Sequence, residues 1–196
     1  MIEIKRGDEL GEGFRRGITE VLVTGFAEDF EYFSKDATAL VDAFEHMLIL
    51  ERFHVALLDG TPAAVATVTE GDQECFAPGR RDFQRALGGW HGTISYFIVR
   101  NQFLGAYSGA RLGLAEIGFV ATAPQHQGQG VATALLGHLL RLPFKEFVLR
   151  DIKDTNAAAL ALYRKLGFTE SRRRPVKFAK RAGFQSYVSM SLRTDS

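Results

Sequence analysis

Cysteine is nearly missing from this sequence. Cys75 is the single cysteine among 196 residues, which excludes a disulfide within the chain and a zinc site built on several thiolates. The five histidines show no spacing typical of metal ligands; they are His46, His54, His91, His126 and His138. We therefore expect no bound metal, and we expect a reducing compartment, by default the cytoplasm.

Strong charge bias and long apolar runs are also missing. The formal net charge is +1, so the chain has no overall field that would attract nucleic acid. The first residues alternate charged and apolar side chains, and no apolar run long enough for a signal peptide or a membrane span follows. We therefore expect neither a nucleic-acid partner nor a membrane partner. The length fits one domain, 1–196, with its own hydrophobic core.

The first half of the chain predicts a strand, one or two helices and a hairpin. The alternation at 2–5 is typical of a short strand, and helical spacing extends from 9 to 50. Asp59-Gly60 is a dipeptide favoured in tight turns, and apolar runs at 53–58 and 63–69 flank it. The segment 71–113 has another pattern, rich in glycine and aromatic residues, and we interpret it as a partly helical insertion.

The second half predicts strands that alternate with helices. Pro143 and Gly167 are helix stop signals, and Asp154 or Thr155 is a candidate cap for the second helix. The strands are expected at 114–122, 147–152, 168–171 and 186–192, and the helices at 131–142 and 155–166. This order predicts a mixed α/β domain.

The turn before the first of these helices can hold an anion. Gly128 and Gly130 stand directly before Val131, where backbone amides at a helix start point outward. A bland alternative is that the glycines only shape the turn. The segment lacks the third glycine of a dinucleotide fingerprint and the Gly-Lys-Ser/Thr ending of a P-loop. A phosphate site of another kind is therefore expected.

Two motifs resemble those of the GNAT acetyltransferase superfamily. The segment Gln127-x-x-Gly130-x-Ala132 is similar to its acetyl-CoA signature. The helix that begins at Asn156 and ends with Tyr163, followed by Gly-Phe, resembles its second motif. The resemblance is strong over 114–169, rests on element order alone over 1–70, and does not extend to 71–113.

The resemblance implies a fold and a co-substrate. The fold is an α/β (α+β) domain with a mixed, mostly antiparallel sheet of six or seven strands, flanked by helices and splayed at the signature strand 114–122. The co-substrate is acetyl-CoA. Its implied binding residues are Val120, Ala121, Thr122, Gln127, Gly128, Gln129, Gly130, Val131, Ala132, Thr133, Asn156 and Tyr163. Asn156 has an alternative role as a helix cap, and Tyr163 as a core residue.

Two residues are candidates for the chemistry. Acetyl transfer requires a neutral amine, and deprotonating a lysine-like amine at pH 7 costs about 4 to 5 kcal/mol. Glu116 is the candidate general base, because a carboxylate in an apolar strand is costly to bury without a purpose, although it can also face solvent. Tyr163 is the candidate acid that protonates the leaving thiolate. Cys75 lies outside both motifs, so direct attack by the amine is favoured over an acetyl-cysteine route.

Other questions stay open at this stage. The acceptor is a small-molecule or peptide amine that the sequence does not identify, and a homodimer is a family-level expectation. A non-catalytic acyl-CoA-binding or regulatory domain is the main alternative function, and a nucleotide-binding enzyme is a weaker one. The basic run 172–174 can face an acidic substrate, face the cofactor phosphates, or be solvated.

Overall fold

The chain forms one seven-stranded sheet flanked by helices. The computed structural model describes residues 1–105, 109–177 and 179–194, and within them the strand order is β1-β2-β3-β4-β5-β7-β6. Only β4 and β5 run parallel, and the other neighbours are antiparallel. The mostly antiparallel mixed sheet is therefore confirmed. The strands are β1 (Ile2–Arg6), β2 (Phe53–Leu58), β3 (Thr61–Glu70), β4 (Leu114–Thr122), β5 (Glu146–Lys153), β6 (Thr169–Pro175) and β7 (Ser186–Arg193).

The helices are mostly short. They are α1 (Gly7–Leu10), α2 (Arg15–Gly25), α3 (Ala27–Phe30), α4 (Ala37–Phe44), α5 (Arg80–Leu87), α6 (Gly89–Phe103), α7 (Val131–Leu139), α8 (Ala157–Lys165) and α9 (Ala179–Ala182), with 3₁₀ turns at Glu12–Phe14, Glu45–Met47, Leu50–Arg52 and Pro124–His126. Across the described ranges, every helix is too short or too polar to cross a membrane.

The prediction of one or two helices over 9–50 was wrong, because four helices share this part of the chain with α1 at its start. The chain leaves the helical conformation at Phe26, with φ of −116° and ψ of 27°. Asp36 then starts α4 by accepting hydrogen bonds from the amides of Thr38 and Ala39. Continuous apolar spacing hides these breaks, since each short helix contributes to the same core.

The hairpin between β2 and β3 is confirmed. Asp59 and Gly60 have φ of 50° and 82°, and Leu58 pairs with Thr61 across them. Positive φ at both loop residues is the geometry that matches the twist of the flanking strands.

The sheet separates two apolar cores. On one face, α7 buries Val131, Leu135 and Leu139 against the sheet, and α8 adds Leu160 and Tyr163 to the same cluster. On the other face, α2, α4 and the helices of 71–113 pack on β2 and β3. This second layer covers only part of the sheet, which has consequences described below.

Three boundaries near the predicted site differ from expectation. Asn156, and not Asp154 or Thr155, caps α8, because its Oδ1 accepts a hydrogen bond from the amide of Ala159 at 3.2 Å. Asp154 instead accepts from the amides of Gln185 and Ser186 and fixes the start of β7. The helix α7 ends earlier than predicted, and the basic run 172–174 lies inside β6 and not in a connection.

The strands β4 and β5 part after three residue pairs, which confirms the predicted splay. Pairing runs only from Leu114 with Glu146 to Glu116 with Val148. Beyond this point each strand has a bulge, and the bulges contain Phe119 and Asp151 with φ of 45° and 51°. Bulges bend a strand and increase its twist, so the two strands diverge and leave a gap in the sheet.

Candidate active site

A cavity of about 690 Å³ lies at the gap between β4 and β5. Its walls come from α3, β3, β4, β5, α8 and the segment 71–113. Four of the residues predicted for the site line it together, although they come from two separate parts of the chain, β4 and α8 with its N-cap. They are Glu116, Val120, Asn156 and Tyr163.

Glu116 is held by an arginine from the neighbouring strand. The Nε and Nη2 atoms of Arg150 lie 2.9 and 2.8 Å from Glu116 Oε1, and both side chains are about three-quarters buried. Glu116 Oε2 makes no hydrogen bond with any described residue. The ion pair therefore orients the carboxylate and leaves one oxygen available to accept another hydrogen bond.

Tyr163 is buried on the inner side of α8. Its ring packs edge-on against Phe168 at 6.2 Å, and burial raises the pKa of its hydroxyl to about 12. Within the described part of the chain, this hydroxyl makes no hydrogen bond. On α8, Leu160 and Tyr163 are buried, while Leu162 and Leu166 are only half-buried. Tyr163 thus belongs to the core and lines the cavity at once.

The first turn of α7 is uncapped and open. Gly130 is its N-cap residue, with φ of 79°, and no side chain caps the helix. The side chains of Gln127 and Gln129 turn back to the carbonyls of Thr122 and Gln125. No heavy atom lies within 4 Å of the Cβ position of Gly130 or Gly128. Among the described residues, no side chain therefore caps the first amides of α7, which leaves them available to an anion.

The remaining predicted cofactor residues lie outside the lining of the cavity. Val131 is buried against the sheet, while Ala132 and Thr133 are half-buried in the first turn of α7. Ala121 is buried and pairs with Val65 of β3. The predicted residues therefore divide into a group in the cavity and a group at the end of β4 and the start of α7.

Asn156 occupies both of the positions considered for it. Its Oδ1 caps α8, and the residue lines the cavity. Because the cap uses only the oxygen, the side-chain amide nitrogen is left for another partner.

Cys75 lies closer to the site than its place in the sequence indicated. It lines the cavity, and burial raises the pKa of its thiol to about 12. The group therefore stays a thiol at neutral pH, and thiolates, not thiols, are the nucleophiles. This favours direct attack over a covalent cysteine route.

Arg150 was missed by sequence reasoning, together with Asp151 next to it. The sequence carried a signal, since two adjacent charged residues in a buried strand break the alternation of inward and outward side chains. The bulge at Asp151 is what accommodates them.

Aromatic side chains form the wall of the cavity opposite α8. Phe119 projects from the bulge of β4 and packs edge-on against Phe76 at 4.8 Å and Phe103 at 5.6 Å. Phe26 and Phe30 line the same wall and are also part of the core. An ion pair of 2.6 Å joins Lys153 of β5 to Asp29 of α3 beside them. Among the described residues, no three His, Cys, Asp or Glu side chains cluster as a metal site would require.

The chain matches a known family over most of its length. The model of the acetyltransferase (GNAT) family matches residues 21–168. The chain therefore belongs to the GNAT acetyltransferase family, and the resemblance based on its two motifs is confirmed.

Two relatives illustrate how far sequence similarity extends. The [ribosomal protein bS18]-alanine N-acetyltransferase of Escherichia coli K12 is 30% identical over 104 residues, which cover 50% of this chain and 70% of that protein. An uncharacterized protein of Mycobacterium leprae, ML0378, is 24% identical over 148 residues, which cover 66% of this chain. The alignment spans only 41% of the Mycobacterium protein.

Solved structures share the fold along the whole chain. The E. coli ribosomal-protein-S18-alanine N-acetyltransferase superposes with a TM-score of 0.58 at 20% identity, covering 98% of this chain and 94% of its own. An N-acetyltransferase of Staphylococcus aureus Mu50 gives 0.62 at 17% identity, covering 97% and 100%. The Salmonella typhimurium protein yncA, solved with its cofactor acetyl-CoA, gives 0.57 at 20% identity, covering 100% and 95%. At these identities the similarity concerns the fold.

Proposed function

We propose that this protein transfers the acetyl group of acetyl-CoA to an amine by direct attack of the amine on the thioester. One observation carries the proposal: the gap between β4 and β5 brings Glu116 and Tyr163 into one cavity. The family and the acetyl-CoA in a solved relative support it.

The residues present fit a CoA molecule. The amides of Val131, Ala132 and Thr133 would hold its diphosphate, each favourable charge interaction contributing about 0.3 to 1 kcal/mol, or up to about 2 when partly buried. Beyond Glu116, the edge of β4 that faces β5 has no paired strand. The backbone of Val120 to Thr122 would therefore form hydrogen bonds with the amides of the pantetheine arm, in the way that an extra strand adds to a sheet edge. When bound, acetyl-CoA supplies the activated carbonyl that the amine attacks.

Glu116 would accept the proton of the amine through Oε2. Arg150 holds Oε1 and keeps the carboxylate in one orientation, so the free oxygen is the one that can accept. Arg150 does not touch the proton in this scheme, and its role is positioning.

Tyr163 would act on the sulfur that leaves. Its pKa of about 12 keeps the hydroxyl protonated at neutral pH, so it can donate a hydrogen bond. Complete proton transfer to a thiolate with an ordinary pKa near 8.5 is uphill by roughly 3 to 4 pH units, or about 5 kcal/mol. We therefore propose that Tyr163 stabilises the developing thiolate by donating a hydrogen bond and keeps its own proton, so that CoA leaves as a thiolate and takes its proton from water.

We propose that residues 1–196 form a single domain. Within it, the segment 71–113 would help to bind the acceptor. Gln73, Glu74, Gln102 and Phe103 of this segment line the cavity opposite α8. The E. coli relative is by its name an alanine N-acetyltransferase of a ribosomal protein, so a peptide amine belongs among the acceptors to test.

The experiment measures CoA release from acetyl-CoA with polyamines, amino acids, aminoglycosides and peptides beginning with alanine, while calorimetry measures CoA binding. Binding and amine-dependent release are expected in the wild type. The double variant Glu116→Gln/Tyr163→Phe should still bind CoA but should form no CoA from acetyl-CoA in the presence of amines. CoA binding without turnover of any amine would favour the non-catalytic domain, and no CoA binding by folded protein would refute the proposal.

A further inference from the structure

A second groove lies on the sheet face opposite α7 and α8. It measures about 420 Å³ and is lined mainly by β5, β6 and β7. Val188 and Met190 of β7 point into the core under α7 and α8, so by strand alternation Tyr187, Ser189 and Ser191 point to the opposite face. We call this surface the basic groove; its polar lining is Arg111, Glu146, Arg150, Asp151, Ser171, Arg172, Arg174, Tyr187, Ser189 and Ser191.

The charges of the basic groove do not cancel. Among the described residues that line it, four arginines stand against two carboxylates. Arg111 pairs with Glu146, and Arg174 pairs with Asp151 at 3.0 Å. Arg172 makes no ion pair or side-chain hydrogen bond with any described residue. Its guanidinium is therefore a free positive charge on the floor of the groove.

The basic groove continues into the catalytic cavity. Arg150, Asp151, Arg174 and Tyr187 line both. The Arg174 guanidinium lies 4.8 Å from the centroid of the Tyr187 ring, so the shared wall is held in place. Arg172 is two residues from Arg174 on the same side of β6, and it pairs in register with Ser189.

The position of Arg172 argues against a role toward the cofactor phosphates. The phosphate-binding turn proposed above begins α7, which packs on the other face of the sheet. Arg173 points to that other face and is occupied by Glu170 and by Ser186 Oγ, at 2.7 and 2.9 Å. The guanidinium of Arg172 thus faces away from the proposed phosphate site.

We propose that the basic groove binds a carboxylate or phosphate carried by the amine acceptor, with Arg172 as its main contact. The inference rests on the proposed function and names the class of acceptor: an amine whose skeleton also carries an anionic group. The planar guanidinium offers paired donors that match either anion, and the hydroxyl groups of Ser189 and Ser191 can donate as well.

The test compares acceptors that differ by one charge. CoA release is measured for Ala-Glu amide against Ala-Gln amide, whose C-termini carry no carboxylate, and for O-phosphoethanolamine against ethanolamine, in the wild type, Arg172→Gln and Arg141→Gln. Arg141 follows α7, is exposed and makes no ion pair with a described residue, so it is a matched control. The wild type should prefer the anionic member of at least one pair. Arg172→Gln should raise KM for that member about threefold to tenfold with kcat unchanged, while Arg172→Lys should recover part of the loss.

The pair that responds distinguishes a carboxylate from a phosphate. Equal use of charged and neutral members, or the same preference in Arg172→Gln as in the wild type, would overturn the inference and leave the acetyltransferase activity standing. If no amine is acetylated, calorimetric titration of Ala-Glu amide and O-phosphoethanolamine still decides it. Binding that Arg172→Gln weakens and Arg141→Gln does not would support the groove, and absence of binding to the wild type would refute it.

Discussion

Glu116 is the residue on which the chemistry depends most directly. Replacing it by glutamine keeps the size of the side chain and removes its ability to accept a proton. We expect Glu116→Gln to lower kcat/KM by about 10² to 10⁴ at neutral pH, because that is the usual contribution of a general base. Steady-state kinetics from pH 6 to 9.5 measure it, and CoA affinity from calorimetry should stay the same.

A matched control is Glu20→Gln on the exposed side of α2. It makes the same chemical change far from the cavity and should keep wild-type kinetics. If Glu116→Gln retains the activity of this control at every pH, another group or an ordered water is the base.

Tyr163 should affect the rate and not the affinity for CoA. Tyr163→Phe keeps the packing against Phe168 and removes only the hydroxyl. We expect kcat to fall about 10- to 100-fold, since one hydrogen bond to developing charge is lost. Because the pKa of Tyr163 is raised to about 12, the loss should be constant between pH 6 and 9. Full kcat in the variant would end this assignment.

At the scale of elements, the start of α7 offers a clean comparison between two glycines. Gly130 and Gly60 have φ of 79° and 82°, and neither has a heavy atom within 4 Å of its Cβ position. Alanine at either position should cost about 1 to 2 kcal/mol of stability, the price of the left-handed conformation. Only Gly130→Ala places a methyl group before the first amides of α7.

We therefore expect Gly130→Ala to weaken CoA binding about tenfold or more, a loss of at least about 1.4 kcal/mol, while Gly60→Ala binds as the wild type does. Urea unfolding gives the stability and calorimetry the affinity. Equal affinity in the two variants would remove the diphosphate from the start of α7.

The elements differ in how well the sequence predicts them. The limits of β4 were predicted to the residue, because nine mostly apolar residues stand between turn signals. The bulges at Phe119 and Asp151 could not be predicted, since phenylalanine rarely adopts positive φ and aspartate, although enriched there, does so at only a minority of its positions. The packing of Phe119 among other aromatic rings stabilises that conformation, and this packing involves residues far apart in the chain.

The candidate site also combines residues that the local sequence predicts with residues whose roles depend on the folded sheet. Glu116, Asn156 and Tyr163 could be named beforehand because their motifs are local. The pairing of Arg150 with Glu116 could not be predicted, because a partner on the next strand is a property of topology and not of spacing. The basic run that contains Arg172 was visible in the sequence, but a choice among its three possible roles required the position of β6 in the sheet.

At the scale of the molecule, a buried histidine should make stability depend on pH. His54 lies in β2, with the His138 ring of α7 at 6.4 Å. Burial, aided by His138 and Arg6, lowers its pKa to about 4, whereas an unfolded chain has a value near 6.5. The unfolded state therefore binds the proton first as pH falls. The contribution of neutral His54 is complete above about pH 6.5 and is lost as pH falls toward 4.

The difference between the pKa of His54 in the folded and the unfolded chain corresponds to about 3 kcal/mol in the free energy of unfolding. Urea unfolding at pH 7 and pH 5 should show a drop in the free energy of unfolding for the wild type and a smaller drop for His54→Gln. Carboxylates are common to both proteins, so the difference between them isolates His54. Identical drops would contradict the assignment.

The short pairing between β4 and β5 affects how easily the sheet opens locally. Among the described residues, backbone pairing joins these strands at only three residue pairs, and the Arg150–Glu116 ion pair adds one side-chain contact. The β1–β4 half and the β5–β7 half therefore meet at a seam with few backbone hydrogen bonds. Backbone amides along 117–122 on this side should exchange with deuterium faster than those inside either half. A CoA molecule in the gap would supply hydrogen-bond partners to the unpaired edge of β4. Its binding should therefore slow amide exchange along the seam and make the two halves of the sheet open cooperatively.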